Sequence, residues 1–263
     1  MPLFSSTFGQ GGRNSRHHPT VVFLHGFLGS SKDWSAVIHH VSQTHQCIAI
    51  DLPGHGNSRA IRGDNFDHIQ TCIAQTLAQR GISQAVFVGY SLGARVLMNI
   101  VVHPNRLWRC KMVGVMLEAG HFGLDETVRE SRLHSDQQWA KHFRDRPIDE
   151  VLQAWYQQPV FGSLTGQQRQ ILIRKRQYNR GECVAEMLEA ASLAKQQNLL
   201  PQLQRSSIPL HYVCGGKDKK FQQIATKSQL ALSIIESAGH NVHIEQPELF
   251  SQQLLHYLAQ VGD

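Results

Sequence analysis

Gly89-Tyr90-Ser91-Leu92-Gly93 sets a serine between two glycines, after the apolar residues 86–88 and before a helix-compatible run over residues 94–101. Apolar run, tight turn and helix form the context of a nucleophile elbow, which a chance Gly-x-Ser-x-Gly lacks. Such a turn holds Ser91 in a strained backbone conformation, while Gly89 and Gly93 leave room for strand and helix to cross. It also exposes the hydroxyl beside the unfilled N–H groups of a helix N-terminus. The alternative is a glycine-rich turn that merely contains a serine, and the flanking pattern weighs against it.

A serine hydroxyl is almost never ionised at neutral pH, so it needs a base, and the base needs an orienting acid. The residues 210–218 read as a strand ending in a loop that carries Asp218, and 233–240 as a strand ending in a loop that carries His240. Both candidates fall just past a strand's C-terminal end, where open α/β sheets collect functional groups. His243 competes with His240, and Glu118, following a strand over 112–117, competes with Asp218. For the oxyanion hole, the strand entering His25-Gly26-Phe27 matches the early loop that supplies one amide, the other coming from the residue after the nucleophile. The expected donors are the amides of Phe27 and Leu92. His25 and His55 read as braces of their loops. The chain order serine, acid, histidine resembles that of the α/β-hydrolases.

These groups need a scaffold, and 263 residues suffice for one α/β domain with an insertion. Residues 20–119 alternate apolar strands with amphipathic helices (66–79 is one), which predicts a mostly parallel sheet with helices on both faces. Strand signals vanish from His121 to about Gln202 and then resume. The reading is an α/β-hydrolase fold: core over 1–119, helical lid over 120–204, core again over 205–263. A final helix is expected over 247–259.

The composition, 41% hydrophobic and 17% charged, is that of a globular chain. No apolar run approaches the ~20 residues of a bilayer span, and residues 1–20 lack a signal peptide's apolar core. Five cysteines without a C-x-x-C pair suggest free thiols. The expectation is a cytoplasmic enzyme without metal or cofactor. Its net charge of +6 is spread over many elements rather than gathered in a stripe, which argues against nucleic acid.

The predicted lid is rich in arginine: Arg129, Arg132, Arg144 and Arg146, then Arg169, Arg174, Lys175, Arg176 and Arg180. Arg95 lies one helical turn beyond Ser91, on the same face. A lid for apolar acyl chains would present Leu, Phe and Met. Arginines around an oxyanion hole instead suit a small molecule bearing several carboxylates, although any single one of them can simply face solvent.

Beyond the elbow, the chain carries Val22-Phe23-Leu24-His25-Gly26-Phe27, Asp51-Leu52-Pro53-Gly54-His55-Gly56 and Ala238-Gly239-His240-Asn241. The lid carries Trp155-Tyr156-Gln157-Gln158-Pro159-Val160-Phe161 and Met187-Leu188-Glu189-Ala190. Nearly end to end from Val21, this resembles the α/β-hydrolase-fold lyases of menaquinone biosynthesis. The Trp-Tyr-Gln-Gln-Pro-Val-Phe run is the specific feature. The resemblance implies a Ser91–Asp218–His240 triad, Tyr90 and Trp155 lining the site, and Arg95, Arg132 and Arg176 binding carboxylates. It implies elimination of pyruvate from 2-succinyl-5-enolpyruvyl-6-hydroxy-3-cyclohexene-1-carboxylate, a tricarboxylate, to leave a conjugated diene. Two other readings share these residues: a serine hydrolase (carboxylic ester or C–C bond) for an anionic small molecule, and a non-catalytic binding module. Oligomeric state is not legible.

Overall fold

The computed structural model describes residues 1–9 and 18–262, so part of the polar N-terminal stretch, residues 10–17, lies outside the described residues. Seven strands form one sheet: β1 (Ser5–Phe8), β2 (Thr20–Leu24), β3 (Cys47–Ile50), β4 (Gln84–Tyr90), β5 (Lys111–Glu118), β6 (Leu210–Gly215) and β7 (Ala231–Ile235). Their spatial order is β1-β3-β2-β4-β5-β6-β7. Every pairing is parallel except β1 with β3. The mostly parallel sheet expected from the alternating pattern is present. The strand β1 was not expected: four residues with one buried side chain carry too little alternation to announce themselves, and pairing with β3 makes them a strand.

Eleven α-helices are described: α1 (Ser35–Val41), α2 (Phe66–Gln79), α3 (Leu92–Val102), α4 (Glu126–Asp145), α5 (Ile148–Trp155), α6 (Gly166–Arg176), α7 (Gly181–Ala190), α8 (Leu200–Leu203), α9 (Lys219–Ser228), α10 (Val242–Glu245) and α11 (Pro247–Val261). The chain runs from β2 outward to β3 and then back across β2 to β4. Because such crossovers are right-handed, the reversal puts α1 and α2 on opposite faces. Accordingly α1 packs on α11, and α2 packs on α3. The reversal also makes the gap between β2 and β4 a topological switch point, where loops leaving the strand ends diverge and open a crevice. Phe27 follows β2 and Ser91 follows β4. The fold thus opens a cleft where the chemistry was expected.

Between β5 and β6 the chain is helical, and α4 to α7 close around a core of their own that includes Phe143, Leu152, Tyr156, Phe161, Leu172 and Val184. Phe27 touches this cluster and the sheet's core alike. Leu199 and Leu203 pack into the sheet's core, so side-chain packing returns to the sheet slightly before residue 204. Among the described residues no helix is long and apolar enough to cross a membrane. All five cysteines are free thiols.

Candidate active site

Ser91 stands between β4 and α3 with φ 49° and ψ −102°, a left-handed backbone that a residue with a Cβ adopts only under strain. The glycines beside it are sterically required. A Cβ on Gly89 would come within 2.7 Å of the Ala94 nitrogen, and one on Gly93 within 2.3 Å of the Leu24 carbonyl oxygen. Leu92 opens α3, so its amide has no acceptor within the helix, and the residue lines the cavity.

The opposing loop is braced by two buried histidines. His25 Nδ1 donates to the Gly26 carbonyl at 2.7 Å, and its Nε2 accepts from the Leu52 amide at 2.9 Å. His55 Nδ1 donates to the Pro53 carbonyl at 2.8 Å, and its Nε2 accepts from the Leu28 amide at 3.0 Å. Burial holds the His55 imidazole down at about 3, so it stays neutral in this bracing role. Phe27 is the residue these braces position, and it lines the same cavity as Ser91 and Leu92.

Asp218 is the N-cap of α9: its Oδ1 accepts from the Phe221 amide at 3.2 Å. That bond turns the other oxygen, Oδ2, toward His240, whose Nδ1 lies 2.6 Å away. The Glu245 carboxylate holds the His240 loop by accepting from the Gly239 amide at 2.9 Å. Asp218 and His240 are nearly buried, and the imidazole lines the cavity beside Ser91. Among the described residues the Ser91 hydroxyl makes no hydrogen bond, a spacing common in unliganded sites that tightens when substrate binds.

The two competing residues are occupied with each other. Glu118 Oε1 accepts from the His243 amide at 3.1 Å and lies 2.9 Å from its Nδ1. Both side chains are fully buried, and the His243 ring stacks on Trp34 at 4.2 Å. They form a structural pair behind the cavity rather than part of its wall.

The cavity measures about 360 Å³, within the range of small-molecule sites. Tyr90 and Trp155 are among the residues that line it. Tyr90 donates its hydroxyl proton to Asn241 Oδ1, and its ring fills the space where a Gly26 Cβ would stand. Helix α4 contributes Arg132, Ser135, Asp136 and Trp139, spaced to share one face. Trp139 packs edge-on against Trp155 at 5.0 Å.

Arg95 lies in the cavity wall and is 9% exposed. Its Nε donates to Gln196 Oε1 at 2.7 Å, and its Nη2 donates to the Ala191 carbonyl at 2.7 Å. Among the described residues no carboxylate forms a salt bridge with it. Burial, and then the positive charge of Arg132, pull the guanidinium down to about 9. A desolvated cation held by neutral acceptors keeps a charge that an anion in the cavity could meet. Arg132 also lines the cavity, its Nε held at 2.8 Å by Asp136, which in turn accepts from the Ser192 hydroxyl at 2.7 Å.

Arg176 departs from the expectation. It does not line the cavity. Its Nη1 donates to Asp33 at 2.7 Å, and both side chains are nearly buried. Burial disfavours charge on each partner, and their mutual attraction outweighs it: the Asp33 carboxyl is lowered and the Arg176 guanidinium raised. Its sequence neighbours Arg174, Lys175 and Arg180 are exposed, and Arg144 pairs with Glu189 at 2.9 Å, away from the cavity. Arginine count alone could not separate these roles, because the acid that claims Arg176 lies 143 residues away.

Arg95→Ala is therefore expected to lower kcat/KM by about 10- to 150-fold, the worth of a charge-assisted contact, with little change in Tm. Arg132→Ala should share the kinetic loss but also lower Tm, since it leaves the buried Asp136 carboxylate with the Ser192 hydroxyl and no cation. Arg176→Ala should unpair a buried carboxylate and destabilise the fold by about 3–5 kcal/mol. Melting curves beside kinetics check the split. A stable Arg176→Ala protein that has lost its activity would return Arg176 to the substrate.

The Alpha/beta hydrolase family matches residues 21–253. The chain is 42% identical over 249 residues to the 2-succinyl-6-hydroxy-2,4-cyclohexadiene-1-carboxylate synthase of Yersinia pseudotuberculosis serotype O:1b, covering 94% of this chain and 90% of the relative. The chain belongs to this synthase family. The same identity and coverage hold for the synthase of Yersinia pestis strain Pestoides F. Among solved structures, MenH from S. aureus superposes with a TM-score of 0.90 at 25% identity, each chain covered in full. An enol-lactonase from Burkholderia xenovorans shares the fold at a TM-score of 0.76 and 16% identity, over 98% of this chain and 96% of that one.

Within this synthase-family site, sequence reasoning did not single out Gln196, Asp136, Trp139, His121 or Lys220. Gln196 is nearly buried, and its role rests on partners 75 and 101 residues away, so no local pattern reveals it. Asp136 did carry a local signal, standing four residues beyond Arg132 on one helix.

Proposed function

We propose that this chain eliminates pyruvate from 2-succinyl-5-enolpyruvyl-6-hydroxy-3-cyclohexene-1-carboxylate to form 2-succinyl-6-hydroxy-2,4-cyclohexadiene-1-carboxylate. The observation that carries the reading is Arg95. It is a buried guanidinium with neutral partners, one helical turn from the candidate nucleophile, in a cavity walled by a second arginine and two tryptophans. The name of the Yersinia relatives supplies the carboxylated, cyclic product that such a cavity suits.

In this reading His240, oriented by Asp218, draws the proton from Ser91, and the serine oxygen takes the proton alpha to the succinyl ketone. The electron pair of that C–H bond passes to the ketone oxygen, where the Phe27 and Leu92 amides meet the developing charge. It then returns to form a double bond within the ring. The existing ring double bond shifts by one position, the C–O bond to the enolpyruvyl group breaks, and protonation of the departing enol carbon gives pyruvate. Nothing is hydrolysed, yet the same oxyanion site would serve an acyl transfer. Arg95 and Arg132 hold carboxylates, while Tyr90 and Trp155 shape the wall. The cytoplasm is the proposed setting, and the helices over 120–204 the proposed lid.

The test supplies the enolpyruvyl substrate and follows pyruvate with a coupled dehydrogenase, with a simple activated ester in parallel. Pyruvate release that far outpaces ester cleavage is expected. Ester cleavage without pyruvate would make the chain a serine hydrolase, and neither activity would leave a binding module.

A further inference from the structure

His121 stands three residues past the end of β5, half-buried, with its ring in the cavity wall. Its backbone carbonyl accepts from Gln196 Nε2 at 2.8 Å, and the other end of that amide accepts from Arg95 Nε at 2.7 Å. One buried glutamine therefore fixes His121 and Arg95 relative to each other. His121 Nδ1 lies 3.2 Å from the Gly123 amide. A backbone N–H can only donate, so Nδ1 carries the lone pair and the ring proton resides on Nε2. Gly123 has φ +133°, and a Cβ there would stand 2.4 Å from the Gln197 carbonyl oxygen, so this turn is tightly specified.

We propose that His121 is a substrate-binding residue whose Nε2–H donates a hydrogen bond to a substrate oxygen beside Arg95. This rests on the carboxylated substrate argued above. Burial, and then the charges of Lys220, Arg95 and Arg132, pull the imidazole down to about 4. It is thus neutral at physiological pH and presents a donor where a protonated ring would crowd three cations. The Phe221 ring meets it edge-on at 6.4 Å and limits its rotation. A neutral donor among cations adds direction to a contact that charge alone leaves loose, which suits placement of one substrate oxygen rather than general attraction.

Two isosteres separate this role from a structural one. Asparagine at 121 can still accept from the Gly123 amide but reaches no further. Glutamine gives up that bond and carries an N–H to about the position of Nε2. Binding of 2-succinylbenzoate, an aromatic compound bearing a succinyl group and a ring carboxylate, is followed through fluorescence of the tryptophans lining the cavity, with melting curves for every variant. His121→Asn is expected to weaken binding by about 10-fold or more at unchanged Tm, and His121→Gln to stay within about threefold of the parent. In pyruvate release, His121→Asn should raise KM far more than it lowers kcat. If asparagine binds as well as histidine while glutamine fails, the ring is a loop brace and the proposal falls. Failure of the parent protein to bind 2-succinylbenzoate overturns it as well. A parent protein that binds the probe but releases no pyruvate counts against the elimination alone, since the order of the two variants still tests His121.

Discussion

Ser91→Ala is expected to lower kcat for pyruvate release by at least about three orders of magnitude, with a modest change in KM. The serine oxygen is the proposed base, and alanine removes that atom while keeping the backbone and both proposed oxyanion amides. Substrate should still bind, because Arg95 and Arg132 are untouched, and the loss should fall on the chemical step. Ser91→Gly should lose activity equally and melt higher than Ser91→Ala. At φ 49° a side chain costs about 1–2 kcal/mol that glycine does not incur. Steady-state kinetics and melting curves of the two variants check both parts. More than a tenth of parental turnover in Ser91→Ala would remove Ser91 from the mechanism.

The second large effect comes from one atom of Asp218. Its Oδ1 caps α9 and its Oδ2 faces His240 Nδ1. In Asp218→Asn the cap requires the amide oxygen at the first position, because the Phe221 amide can only donate. The amide NH2 is thereby turned toward His240, whose Nδ1 must then accept. The ring proton moves to Nε2, the atom that should take the serine proton, and the base is blocked. A fall in kcat of up to ~10⁴-fold is expected, as for other tautomer errors. Tm should hardly move, since asparagine caps a helix about as well as aspartate. Glu118→Gln should show the opposite pattern. It disturbs a fully buried pair with His243, so stability falls by about 1–3 kcal/mol while kcat stays within about tenfold. The reverse ranking would falsify the assignment and move the acid to Glu118.

The elbow, the acid and the histidine were legible because each is a local pattern, a short apolar strand followed at once by a loop bearing a polar residue. Glu118 met the same description, and only its partner separates it from Asp218. His243 is similar: three residues from His240, it lies on a short helix and turns to Glu118 and Trp34. Position after a strand is a property of the chain, whereas access to the cleft is a property of packing.

The arginines show the same limit. Residues 169–180 carry five basic side chains without an acid, which reads as a positive wall. In the fold Arg174, Lys175 and Arg180 face solvent, and Arg176 pairs with the carboxylate of Asp33 in the loop that follows β2. Arg95 kept its expected place because a helical turn fixes it to Ser91 whatever the lid does. By itself the sequence determined the order of strands and helices, the elbow and the candidate triad, since hydrophobic period, glycine sterics and turn chemistry act over a few residues. The tertiary structure decided that Arg176 meets a carboxylate within the protein and that Arg95, in the cavity wall, meets none among the described residues. A buried charge is set by whatever partner the fold brings within about 4 Å, and in this chain those partners lie up to 143 residues away.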